Sequence, residues 1–268
     1  MSGTSGASGA TVRRATRERH DALIGLLRTG VDGVEVLAAR LDISPSTVRR
    51  DLTRLQREGR IARTYGGALV TDVFQERSFN ESAELHQASK AAIARAAVEL
   101  IPEHGTIFLD AGTTCLALAR AVAARGSLTV VTRGIEAASL LARSTDVEVI
   151  MLGGNVRPLS HGLVGPLSSL ALERLSFDVA FLGADAVDPD RGLGEPTSEE
   201  TYVKELAAGR ATEVVVLADA SKLGPAQLPA WIPLSPTWRL LTDAGASPEI
   251  VARFAVPVLT AGPPSRFQ

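Results

Sequence analysis

Ile43-Ser44-Pro45-Ser46-Thr47-Val48-Arg49-Arg50-Asp51-Leu52-Thr53-Arg54-Leu55-Gln56-Arg57-Glu58-Gly59 reads as one helix with its start and stop written into it. Ser44 is an N-cap whose hydroxyl can accept a free backbone N–H of the first turn. Pro45 follows where a missing donor costs nothing and its φ is already helical. Gly59 tolerates the left-handed conformation that ends a helix. Val48, Leu52 and Leu55 recur at i, i+4, i+7, one apolar stripe for a core. At about 100° per residue, Ser46, Arg50, Thr53 and Arg57 fall opposite that stripe, with Arg49 and Arg54 on its flanks. Hydroxyls and guanidiniums are the groups that grip phosphates and read base edges, although a charged face is more often just solvated.

The surroundings favour the nucleic-acid reading. Val34, Leu37, Ala38 and Leu41 space a second helix over Val34–Leu41, joined to the first by the tight turn Asp42-Ile43. Leu23, Ile24, Leu26 and Leu27 mark a third over Arg17–Arg28. Two helices, a tight turn and an Arg-rich capped helix make a helix-turn-helix, whose last helix enters the major groove of double-stranded DNA. Arg60 to Ala68 alternates and then breaks at Gly66-Gly67, as a β-hairpin wing would. The expected DNA contacts are Ser44, Ser46, Thr47, Arg49, Arg50, Thr53, Arg54, Arg57, Arg63 and Gly66. Asp51 lies off the groove face and is expected to orient an arginine rather than read a base.

Val48-Arg49-Arg50-Asp51-Leu52, with Leu55, Gly59, Arg63 and Gly66-Gly67-Ala68 behind it, resembles the N-terminal signature of the DeoR family of bacterial transcriptional regulators. Charge follows the same division. Residues 1–70 hold 12 Arg, no Lys and 7 acids, net +5, whereas residues 71–268 hold 16 basic and 23 acidic residues, net −7. A basic front and an acidic back suit a chain in which only the front meets a polyanion.

The 268 residues suffice for two domains with cores of their own, and 45% hydrophobic with 22% charged residues is an ordinary globular composition. A single cysteine, Cys115, precludes an internal disulfide and suits a reducing cytoplasm. No apolar run approaches a membrane span, and the first ten residues lack the apolar core of a leader, so a cytoplasmic protein without membrane partners is expected. His20, His86, His104 and His161 have no metal-ligand spacing, and neither metal nor cofactor is expected. Residues 1–16 should be a disordered tail, 17–70 the winged helix-turn-helix domain, 71–89 a linker with at most one short helical piece, and 90–262 a larger domain.

That larger domain alternates short apolar runs with helical stretches. Thr106–Leu109, Leu128–Thr132, Val147–Leu152, Val179–Leu182, Val214–Leu217 and Arg239–Thr242 predict strands of a mostly parallel, doubly wound α/β sheet. Ligands bind such sheets outside the carboxyl ends of the strands, where the polar motifs cluster. Asp110-Ala-Gly112-Thr113-Thr114 follows the first strand and opens a helix, an anion cradle of amides and hydroxyls. Gly153-Gly154, Gly183-Ala184-Asp185 and Asp219-Ala-Ser221-Lys222 follow others. Hydroxyls, amides, carboxylates and a lysine suit a small polyhydroxylated phosphate, although each motif alone equally caps a helix.

This half also resembles the DeoR family's C-terminal effector domain, through Asp110-x-Gly112-Thr113-Thr114, Gly153-Gly154, Phe181–Asp185, Glu200-x-x-Val203-Lys204 and Leu217-Ala218-Asp219-x-Ser221-Lys222. The resemblance implies a sheet like that of ribose-5-phosphate isomerase, binding a phosphorylated sugar that weakens DNA binding, in a homodimer or homotetramer. The expected effector residues are Asp110, Gly112, Thr113, Thr114, Arg133, Gly153, Gly154, Asp185, Glu200, Lys204, Asp219 and Lys222. Arg133 stands where the family usually carries Asn, and Gly194-Glu195-Pro196-Thr197 replaces a Thr/Asn-containing stretch. A second reading is a sugar-phosphate isomerase using Asp185 and Asp188 as acid and base. It lacks the glycine-rich, Lys/Arg-bearing stretch of those enzymes and leaves the DNA-binding domain unexplained. An RNA-binding module is disfavoured by 4% aromatic content.

Overall fold

A computed structural model describes residues 19–20, 22–27, 31, 33–57, 61–64, 67–70 and 76–262. The chain divides into two compact units, Met1–Gln75 and Glu76–Gln268.

In the first unit, residues 19–20 and 22–27 are helical (α1), followed by α2 (Val34–Leu41) and α3 (Pro45–Arg57). The stripe is where its period places it. Val48 and Leu55 are fully buried and Leu52 nearly so, packed with Leu23, Ile24, Leu27, Leu37 and Ala38. Each such side chain contributes about 1.5–3 kcal/mol on leaving water. Asp42 takes the left-handed conformation at φ 51°, which turns α2 into α3. Ser44 caps α3, its hydroxyl accepting from the Thr47 amide at 3.1 Å. The wing is an antiparallel hairpin of β1 (Ile61–Thr64) and β2 (Gly67–Val70), pairing Arg63 with Ala68. The expected tail 1–16, the helix stop Gly59 and the wing residue Gly66 lie outside the described residues.

The second unit begins with α4 (Phe79–Glu84) and α5 (Gln87–Val98). The linker expected over 71–89 is therefore shorter, since residues 76–89 are built into this unit. Ser78 and Glu81 form a reciprocal capping box on α4, a Ser-x-x-Glu signal that the polar run concealed. Then come β3 (Thr106–Leu109), α6 (Thr113–Val122), β4 (Leu128–Thr132), α7 (Ile135–Leu141), β5 (Val147–Met151), β6 (Asn155–Val156), β7 (Leu163–Val164), α8 (Pro166–Leu172) and β8 (Phe177–Gly183). After these lie β9 (Ala186–Asp188), β10 (Gly192–Glu195), α9 (Ser198–Ala208), β11 (Ala211–Leu217), β12 (Ala230–Ile232), β13 (Arg239–Asp243), α10 (Pro248–Val251) and β14 (Val258–Ala261).

Seven strands form one parallel sheet in the order β14-β13-β11-β8-β3-β4-β5. Phe108 of β3 sits between Ala180 of β8 and Val131 of β4. Apolar cores lie on both faces: Ile107, Leu109 and Phe181 face one, Phe108, Ala180 and Leu182 the other. From β3 the chain winds outward through β4 and β5, then crosses to β8 and continues the other way through β11, β13 and β14. The winding reverses between β3 and β8, the position at which parallel sheets leave a crevice for ligands. A small antiparallel sheet, β12-β10-β9, adds β10 beside that crevice.

Candidate functional sites

The exposed face of α3 carries the groups expected of a DNA reader. Ser44, Ser46, Arg49, Arg50, Thr53 and Arg54 are exposed and Thr47 half-buried. Thr47, Arg49, Arg50, Thr53 and Arg54 border one shallow depression together with Arg19 and Asp51. On this face Arg49 donates to the exposed Glu35 at 3.1 Å, Arg50 Nε to the Ser46 carbonyl at 3.3 Å and Thr53 Oγ1 to the Arg49 carbonyl at 2.7 Å. The Arg49–Glu35 pair is exposed, so a polyanion can displace it. The side chains of Arg57 and Arg63 lie outside what is described.

Asp51 has a different task. Its carboxylate, 9% exposed, accepts from Arg19 Nε at 2.6 Å, Arg19 Nη2 at 3.1 Å and His20 Nε2 at 3.1 Å. Burial alone would raise its pKa, but the Arg19 and His20 bonds outweigh burial and hold the carboxyl below its ordinary value. Asp51 thus ties α1 to α3.

In the second unit a cleft enclosing about 770 Å³, part of it open to solvent, lies over the switch between β3 and β8. Its floor is a buried charge cluster centred on Asp110. Both Asp110 oxygens are occupied, one by the Ala111 amide at 2.8 Å and Arg133 Nε, the other by the Gly183 amide at 3.0 Å and Lys204 Nζ. Burial alone would raise the pKa of Asp110, but Arg133 and Lys204 outweigh that and keep it ionised. Asp110 is fully buried and does not line the cleft. The expectation that it binds effector is corrected: its lone pairs are used in aiming Arg133 and Lys204.

Lys204 donates also to the Gly183 carbonyl at 2.8 Å and lies 3.0 Å from Glu195 Oε1. Desolvation disfavours its charge, but the Asp110 carboxylate more than compensates, so it remains a cation. Glu195, overlooked as a single residue in the sequence, is 3% exposed, and burial pushes its carboxyl up to about 8 despite Lys204. Arg133 is 2% exposed, with Nη1 lacking a hydrogen-bond partner and 3.9 Å from Glu200 Oε1. It fits because Gly162 has no side chain: a Cβ there would stand 2.5 Å from Nη1.

Above this floor, Gly112 starts α6 at φ 106°, with no side-chain cap and no acid in the first turn. Gly112, Thr113 and Thr114 at this uncapped helix start line the cleft, an arrangement suited to an anion. Asp185 and Lys222 pair at 3.1 Å on the rim. Asp219 accepts from the Ser221 amide at 3.1 Å and the Ser221 hydroxyl at 2.5 Å, shaping the turn that carries Lys222. Glu200, 1% exposed, accepts from Thr197 Oγ1 and Ser160 Oγ, each at 3.0 Å. Gly112, Thr113, Thr114, Arg133, Asp185, Glu200, Lys204, Asp219 and Lys222 are thus brought together around one cleft.

Gly153 and Gly154 do not line it. A Cβ on Gly154 would sit 2.4 Å from the Val164 carbonyl and 2.6 Å from Ser168 Oγ, so Gly154 lets β7 and α8 pack closely. Asp188 is likewise elsewhere. Its Oδ1 accepts from the Asp190 and Arg191 amides at 2.8 and 3.1 Å, closing the β9–β10 turn, so the structure does not assemble the Asp185/Asp188 pair of the isomerase reading. Sequence reasoning missed Glu76, Arg77, Phe79, Ser82, Leu85 and His86, which line the cleft from within the expected linker 71–89, and Lys90 just beyond it. Among the described residues, no group of three or more His, Cys, Asp or Glu could hold a metal, and no helix is long and apolar enough to cross a membrane.

The model of the DeoR-like helix-turn-helix domain matches residues 19–73, and that of the DeoR C terminal sensor domain residues 85–244. An HTH-type transcriptional regulator GlpR of Haloferax volcanii is 41% identical over 71% of this chain and 75% of its own length. The lactose phosphotransferase system repressor of Streptococcus mutans is 33% identical over 81% of this chain and 87% of its own. The structure of ribose 5-phosphate isomerase A from Methanocaldococcus jannaschii aligns with half of the chain and 52% of its own, at 22% identity and a TM-score of 0.37. The named relatives are regulators, not enzymes. The chain belongs to the DeoR family of transcriptional regulators.

Proposed function

We propose that the protein represses genes of sugar metabolism and is released from its operator by a phosphorylated sugar held in the cleft over β3 and β8. The observation that carries this reading is the uncapped start of α6 at Gly112–Thr114, set above the buried cations Arg133 and Lys204. A phosphate takes the amides and threonine hydroxyls, while Asp185, Glu200 and Asp219 offer acceptors for sugar hydroxyls. The repressor named for a sugar transport system among the relatives supports the same class of ligand.

Arg49, Arg50, Ser46 and Thr53 read or grip the major groove, and Arg54, Arg57 and the wing residue Arg63 hold phosphates. Recognition of a two-fold operator calls for a homodimer or a pair of dimers. Effector and operator favour different arrangements of the same protein, so occupancy shifts the population toward one that no longer fits both half-sites. The test is a thermal-shift screen against phosphorylated sugars and their unphosphorylated counterparts. At about 100 times its dissociation constant a ligand stabilises the unit by about 2.7 kcal/mol. Raised midpoints confined to phosphorylated compounds are expected; a flat response across the panel removes the effector reading.

A further inference from the structure

The segment from Glu76 to His86 is the first part of the second unit, and the chain passes into it from the winged-helix unit at Gln75. It is also one wall of the cleft, through Glu76, Arg77, Phe79, Ser82, Leu85 and His86. Its attachment is specific. The Phe79 amide donates to the Leu159 carbonyl at 2.7 Å, and the Phe79 ring stacks on His161 with centroids 5.2 Å apart. Lys90 Nζ holds the other end, donating to the Ser82 and Leu85 carbonyls at 2.5 and 2.8 Å.

One guanidinium ties this wall to the site. Arg157 Nη2 donates to Glu76 Oε2 at 2.5 Å, while Arg157 Nε lies 3.2 Å from Glu200 Oε2, close enough for an ion pair but off the hydrogen-bonding line. Two carboxylates thus share one cation, and both line the cleft. Glu76 Oε1, Arg157 Nε and Arg133 Nη1 are buried without hydrogen-bond partners, and all three belong to groups within ion-pair reach of Glu200 or Arg157. For Glu76 and Arg133, which line the cleft, buried polar atoms left in this condition cost free energy that a ligand bearing both donors and acceptors recovers. Burial raises the Glu76 carboxyl despite Arg157, as expected of an acceptor short of donors.

We propose that residues 76–86 are part of the effector site, and that ligand hydroxyls bridge Glu76 and Glu200, the carboxylates that share Arg157. The inference rests on the sugar-phosphate reading and extends it: the ligand is clasped between the carboxyl ends of the central strands and residues 76–86.

Hydrogen–deuterium exchange on the full chain tests it, with fructose 1-phosphate, fructose 6-phosphate, galactose 6-phosphate and glycerol 3-phosphate as probes. A probe that binds is expected to slow exchange about tenfold or more in two places, Gly112–Cys115 and residues 79–86. In Arg157→Gln the first protection persists and the second is lost while exchange of residues 79–86 without ligand matches the parent protein, a split that a merely structural role for Arg157 does not produce. Should that variant fail to fold, Glu76→Gln serves, with the bound probe's affinity expected to fall about tenfold by calorimetry. Protection of Gly112–Cys115 with residues 79–86 unchanged in the parent protein, or unaltered affinity in Glu76→Gln, overturns the inference and leaves the effector reading intact. Absence of protection at both places with every probe takes down both.

Discussion

Replacing Asp51 by alanine separates an architectural role from a base-reading one. Three hydrogen bonds end on its carboxylate, two from Arg19 and one from His20. The side chains are 9%, 28% and 5% exposed, respectively. Removing one member of a fully buried ion pair costs about 3–5 kcal/mol. Arg19 can turn part of its guanidinium back to water, which lowers its share, whereas the His20 nitrogen stays buried and loses about 1–3 kcal/mol. The sum comes to about 2–4 kcal/mol. A unit of this size has a total stability of only about 3–8 kcal/mol, so the loss is a large fraction of it. Urea denaturation followed by circular dichroism should show the winged-helix transition moved to lower denaturant and the sensor transition unmoved. In a double-mutant cycle with Arg19→Ala the coupling should exceed about 1 kcal/mol. A loss below about 0.5 kcal/mol, or an altered base preference with unaltered stability, would refute the clamp and return Asp51 to the groove.

Three further outcomes follow from the same geometry. Arg50→Ala should weaken operator binding by about 1–3 kcal/mol and relax specificity at one base pair, measured by fluorescence anisotropy on single-base operator variants. Gly154→Ala should destabilise the sensor unit by about 1–3 kcal/mol in thermal unfolding, because its Cβ would run into the Val164 carbonyl, while effector affinity per folded molecule stays the same. Glu195 holds a proton in the native state up to pH of about 8 that the unfolded chain releases near 4.5. Its contribution to stability is therefore full below the unfolded value and lost as pH rises toward 8. Glu195→Gln should flatten the decline of the melting midpoint between about pH 5 and 8, and an unchanged pH profile would contradict the assignment.

The first unit was legible because its signals are local. Ser44-Pro45 starts α3 and Val48, Leu52 and Leu55 set its buried face, all within one helix. Asp51 could be moved off the groove by the helical wheel, but its partners Arg19 and His20 lie 32 and 31 residues away, beyond any periodicity. The parallel strands showed as β-branched runs, and three of the four motifs at their carboxyl ends, those of Gly112–Thr114, Gly183–Asp185 and Asp219–Lys222, contribute to one cleft. What the sequence concealed depends on three-dimensional closure. Asp110 and Gly112 look alike as members of one motif, yet one is spent on Lys204 and Arg133 while the other opens α6 to the cleft. Gly153-Gly154 mimics a ligand loop, whereas Gly154 instead admits α8. Residues 76–86 were polar and aperiodic enough to pass for a linker, because a six-residue helix gives too few turns to show a stripe. The Ser78-x-x-Glu81 capping box was the one local sign of order there.

The central claim is that the cleft over β3 and β8 controls the hold of α3 on DNA. The most direct measurement is anisotropy of a labelled duplex, selected by the protein from a random pool, titrated with the phosphorylated sugar that raises the melting midpoint. Release of the duplex with the apparent operator affinity falling at least about tenfold, and loss of that response in Thr113→Ala/Thr114→Ala, is the predicted result. Tight binding of the sugar phosphate with operator affinity unchanged would contradict the account, because a ligand that prefers neither arrangement shifts no population.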